Sequence, residues 1–147
     1  MSTPKFAPTG LNIGQSRNRL AGIWVLGGLP LLVIVIVQIV LGRYPDGFQT
    51  PIGWLSTLLF PSWSIIFAVL TVGKTKASIR PVHHKSLFYI SALISVVYII
   101  SLYLIMFLGV YSPGGLSSAL QNSAFYMGVF QSFVIGVVGK FFLESQE

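Results

Sequence analysis

Four apolar stretches, at about residues 20–42, 52–73, 87–110 and 118–142, take up most of the chain and leave short connections between them. A helix rises ~1.5 Å per residue, so about 20 residues cross a ~30 Å hydrocarbon layer, and each stretch is long enough. A membrane-crossing strand would instead be ~10 residues of alternating polarity, and none of the four alternates. In lipid every backbone N–H and C=O has to be paired within the protein, which a lone helix achieves and an open sheet edge does not. The expected fold is therefore an all-α integral membrane protein. Its four transmembrane helices form two antiparallel hairpins in a domain at 20–143, between an arm at 1–19 and a tail at 144–147. Composition agrees, since 54% hydrophobic and 8% charged residues do not suit a water-facing surface.

The few basic residues are placed unevenly. Lys5, Arg17 and Arg19 precede the first stretch, Lys74, Lys76, Arg80 and Lys85 separate the second from the third, and Lys140 lies near the end. On the other side, Arg43 stands alone between the first two stretches and 111–117 has no Lys or Arg. Because loops rich in Lys and Arg stay in the cytoplasm, both termini and the middle loop are expected there, in an inner or plasma membrane. The first stretch is too long for a signal-peptide core and leads into Arg43-Tyr44-Pro45-Asp46 with no small-residue cleavage site, so it reads as an uncleaved span. A net charge of +6 is then explained by the bilayer, with no nucleic-acid partner expected. Lys74, Lys76, Arg80 and Lys85 are candidates for docking anionic lipid or an acidic partner.

Turn chemistry sits where the spans need it. Tyr44-Pro45-Asp46-Gly47 and Ser112-Pro113-Gly114-Gly115 are turn sequences. Ser118 followed by Gln121 has the pattern of a capping box opening the fourth helix. Trp24, Tyr44, Trp54, Phe88, Tyr89, Tyr111 and Phe141 lie near the span ends and fit an interfacial aromatic belt.

Three patterns inside the spans are candidates for function. Ala124, Gly128, Ser132 and Gly136 recur every four residues, a small-residue stripe that lets two helix backbones approach closely; it suits packing within the bundle or contact with another subunit. Gln131 beside it needs a polar partner. Gly22, Pro30, Gly42 and Arg43 recur, displaced by 31 residues, as Gly53, Pro61, Gly73 and Lys74. Each proline removes a backbone hydrogen bond, freeing the carbonyl of Leu26 or Thr57 and bending its helix. Paired kinks set shape or form a gate, with Thr57, Ser62, Trp63 and Ser64 as the polar groups beside the second. Finally, Ser91, Ser95, Tyr98 and Ser101 fall on one helix face, which lines a wet path or bonds across a helix interface.

Absences narrow the function. No span has Asp, Glu, Lys, Arg or His near its centre, where proton relays and ion-coupled carriers place one. There is no Cys, His83-His84 has no carboxylate nearby, and Asp46, Glu144 and Glu147 are too scattered for paired acid and base chemistry. No enzyme activity, metal or cofactor is expected. The reading is a non-enzymatic membrane protein whose partners are lipids and copies of itself, assembling into a pore, channel or membrane-perturbing oligomer. The alternative is an accessory or assembly subunit of a larger respiratory or transport complex.

Overall fold

The computed structural model describes residues 13–44, 47–72 and 85–144. Its elements are α1 (Ile13–Val40), α2 (Gln49–Leu58), α3 (Phe60–Val72), α4 (Lys85–Leu108), a 3-10 turn (Gly109–Tyr111) and α5 (Gly115–Glu144). The described residues are all-helical and contain four stretches long and apolar enough to cross a membrane: Gly14–Val40, Gln49–Ala68, Ser86–Tyr111 and Gly115–Phe142. The docking candidates Lys74, Lys76 and Arg80, with His83 and His84, lie outside the described residues. Lys85 opens α4.

Local chemistry explains where the helices stop. At the end of α1, Gly42 adopts φ +66°, the left-handed conformation that costs a residue without Cβ least. Its N–H donates to Ile39 O at 3.0 Å and Arg43 N–H to Gln38 O at 3.0 Å, the paired bonds of a Schellman cap. Both expected turns close with a backbone bond, Gly47 N–H to Tyr44 O at 3.1 Å and Gly115 N–H to Ser112 O at 2.8 Å. The expected capping box does not form. α5 begins at Gly115, at φ +73°, so Ser118 is already helical and its Oγ accepts from Asn122 Nδ2 at 3.5 Å within the helix. α1 likewise starts earlier than the apolar pattern indicates, at Ile13, which brings Ser16 and Arg17 onto its buried face.

The second span is two helices joined at Leu59. α2 packs against α5, α5 against α4, α4 against α1, and α3 touches both α1 and α5. Leu20, Trp24, Leu31 and Val35 of α1 meet Leu58 of α2, Ile66 of α3, Tyr98, Leu102 and Met106 of α4, and Leu120, Val134 and Phe142 of α5 in one core. Large apolar side chains also cover the outside, among them Leu26, Leu93, Leu104, Phe125, Val129 and Phe133. When both faces of a helix are apolar, hydrophobicity does not choose the inward one. The polar side chains that need a partner on another helix choose it, because in lipid such a partner is met only inside. Ser95, Ser123 and Gln131 are accordingly all buried and bonded across helices, while Ser91 is buried with its hydroxyl unpaired among the described residues.

Most of the aromatic residues near the span ends face the protein interior, and for the two tryptophans the same preference is the reason. Trp24, Tyr44, Trp54, Phe88 and Phe141 are buried, and only Tyr89 and Tyr111 of that set face outward, 59% and 85% exposed. An indole N–H with a hydroxyl available across a helix interface turns inward to reach it.

Candidate functional site

Three separate sets of hydrogen bonds in the bundle interior gather many of the polar residues singled out above. Trp24 Nε1 donates to Ser95 Oγ at 3.1 Å, and Ser95 Oγ donates in turn to Ser91 O at 2.7 Å. Trp54 Nε1 donates to Ser123 Oγ at 3.0 Å, and Ser123 Oγ to Leu120 O at 2.9 Å. Gln131 Nε2 reaches Ser62 Oγ at 3.4 Å, and Trp63 Nε1 reaches Trp24 O at 3.3 Å. Ser95 and Ser123 each have a backbone carbonyl behind the hydroxyl, so each accepts an indole proton while its own proton is used locally.

Two tyrosines of α4 serve the two proline bends. Tyr98 OH donates to Leu58 O at 2.8 Å, and Tyr103 OH donates to Gly27 O at 2.8 Å. Leu58 and Gly27 each stand three residues before a proline, Pro61 and Pro30. Among the described residues no backbone N–H outside regular helix bonding reaches Leu58 O across the break at Leu59. Proline interrupts the helical ladder, and a phenol from the neighbouring span supplies the donor beside each interruption. Trp24 and Tyr98 lie 5.8 Å apart between ring centroids, and Phe130 meets Tyr98 edge-on at 5.4 Å, which fixes the phenol over its carbonyl.

The three candidate groups separate by face. Of the α4 set, Ser91, Ser95 and Tyr98 are fully buried, while Ser101 is half-buried and bonds its own helix at Val97 O. Around the kinks, Ser62 is buried and Trp63 half-buried, whereas Pro30, Pro61, Thr57 and Ser64 face outward. The Thr57 and Ser64 hydroxyls return to Gly53 O and Phe60 O, each at 2.9 Å. Gln131 leaves the small stripe for the interior. Ala124 rests against the core, Gly128 is half-buried, and Ser132 and Gly136 are exposed. A Cβ placed on Gly128 or Gly136 meets nothing within 4 Å.

The glycines that do bring helices together are others. A Cβ on Gly27 would lie 2.9 Å from Ile99, and one on Gly28 2.9 Å from the Trp63 indole and 3.1 Å from Leu59. Sequence spacing did not single out these two, nor Tyr103 or Ser123. The one signal for Gly27 and Gly28 is their position just before Pro30, where a bend and a close approach coincide. Among the described residues no three His, Cys, Asp or Glu side chains cluster to hold a metal ion. Comparison of the chain with models of protein families, with curated proteins and with solved structures returns no match.

Proposed function

We propose that this chain is a non-enzymatic membrane protein that self-associates through the outer face of α5 into a pore, channel or membrane-perturbing assembly. The observation that supports this reading is a contrast. Buried indole and phenol donors of the bundle are bonded across helices, while Ser132 and Gly136 are exposed and a Cβ on Gly128 or Gly136 would meet nothing within 4 Å. Small residues are useful where a second helix backbone comes close, and among the described residues none does so at Gly128 or Gly136. A conducting path belongs between copies, since the interior holds large apolar side chains such as Leu31, Leu102 and Met106 and its tryptophan and tyrosine donors are paired across helices.

In the membrane the chain is two antiparallel hairpins, with both termini and the basic loop cytoplasmic by the distribution of Lys and Arg. In that loop, Lys74, Lys76, Arg80 and Lys85 attract anionic headgroups at ~1 kcal/mol each near the surface. Purification in mild detergent followed by mass measurement tests the assembly. A defined homo-oligomer is expected, with Gly128→Leu and Gly136→Leu reducing it to monomer. Unchanged particle size in both variants removes α5 from the interface. Liposomes carrying the oligomer should leak ions or a small dye, and sealed liposomes reject the pore. A monomer that co-purifies with unrelated membrane chains supports the alternative, an accessory or assembly subunit, using the same open face.

A further inference from the structure

A groove of about 550 Å³ runs along the last turns of α1 and is closed on one side by the connection between α4 and α5. Its walls are Val33, Ile34, Val37 and Leu41 of α1, with Val110 and Leu116 opposite; Gln38 and Arg43 are its polar lining. A volume of that size holds one aliphatic chain, and the walls are aliphatic throughout. The polar end is one-sided in its chemistry. Gln38 accepts from Tyr44 OH at 2.7 Å through Oε1, so its amide N–H₂ is the end left to bond. The Arg43 guanidinium has donors only. The Schellman bonds already occupy Gln38 O and Ile39 O, so the carbonyl end of α1 is paired within the chain. An apolar slot ending in donors and a positive charge, at the level where a helix leaves the hydrocarbon, complements an anionic amphiphile.

We propose that this groove is a binding site for one anionic glycerophospholipid, with an acyl chain along Val33, Val37 and Leu41 and its phosphate against Arg43 and the Gln38 amide. The site does not depend on self-association, because none of its lining residues belongs to the small-residue stripe of α5. Arg43 is the one basic residue between the first two spans, which explains a basic residue placed where the distribution of charge otherwise excludes them.

The experiment is native mass spectrometry of the full chain extracted from mixed micelles of phosphatidylglycerol and phosphatidylcholine, paired with thermal unfolding. The wild type should retain one phosphatidylglycerol per protomer with about fivefold preference over phosphatidylcholine, the factor expected for one basic residue at a membrane surface, and should melt higher when phosphatidylglycerol is added. Arg43→Gln should abolish the preference, and Val37→Trp, on the open wall of the groove, should abolish retention of either lipid. Equal retention of both lipids by the wild type, or a preference untouched in both variants, overturns the proposal. Lower stability of Arg43→Gln with the lipid preference intact also overturns it, because Arg43 then acts only as the counter-charge of the helix end. Inorganic phosphate displacing the lipid headgroup preference without a bound chain identifies a phosphate site and rejects the lipid.

Discussion

Tyr98 and Tyr103 show what single side chains do in this bundle. Each donates to a carbonyl beside a proline interruption, and in lipid no water replaces a lost donor. Tyr98→Phe and Tyr103→Phe should each destabilise the protein by about 1 kcal/mol, measured by reversible unfolding in detergent mixtures, while Tyr89→Phe on the exposed surface should cost nothing measurable. Gly28→Ala should be worse than its size suggests, at about 1–3 kcal/mol, since the new Cβ falls 2.9 Å from the Trp63 ring. Gly22→Ala, with nothing within 4 Å, is its control. Outside the spans, burial pushes the Tyr44 phenol from its ordinary value of 10.0 up to about 12. The raised value means that the folded chain favours the neutral phenol. The stability gained by burying the neutral phenol is therefore fully present below pH 10 and declines as the pH rises toward 12, where the phenol ionises and its bond to Gln38 is lost. Difference absorbance at 295 nm between wild type and Tyr44→Phe should show one phenolate forming late, near pH 12.

At the scale of elements, the second span differs from the other three because it is interrupted. Pro61 has no N–H to continue the ladder, α2 ends at Leu58, and Leu59 joins it to α3 while donating to Leu55 O at 2.8 Å. The interruption and Tyr98 belong together. With alanine at 61 the helix becomes continuous, Ser62 N–H reaches Leu58 O, and the phenol is no longer its one donor. A double-mutant cycle should therefore show coupling, with Tyr98→Phe costing less in the Pro61→Ala background than in the wild type. Additive effects would separate the tyrosine from the bend. Pro30 sits inside a helix that stays continuous from Ile13 to Val40, so α1 accommodates its proline where the second span divides close to Pro61.

Over the whole molecule, helices with apolar residues on every face are oriented by their few hydroxyls, indoles and amides. The bundle can therefore be entirely packed inside and still expose large apolar side chains such as Leu26 and Phe125, 77% and 82% exposed. Orientation in the membrane is testable without background, because the chain has no cysteine. Ser112→Cys should be labelled by an impermeant maleimide from outside intact cells, and Ser78→Cys only after the membrane is opened. The reverse pattern would invert the topology, and labelling of both from one side would remove a span.

The existence of four helical spans was legible in sequence because stretch length and hydropathy are local properties that the bilayer thickness alone converts into helices. Both turns were legible for a related reason, since Pro and Gly restrict backbone angles wherever they occur. Facing was not. The stripe at Gly128, Ser132 and Gly136 reads the same whether it lies inside or outside, and only the tertiary structure leaves it open. Trp24 and Trp54 occupy interfacial positions in sequence, yet Ser95 and Ser123, each about seventy residues away, draw their N–H groups inward. Which side chain reaches a carbonyl beside a proline is likewise a matter of which neighbour packs there. Tyr98 and Tyr103 acquired that role only when α4 folded against both prolines' helices, because hydrogen bonds between spans depend on which helices meet and in what rotation, and no local pattern carries that information.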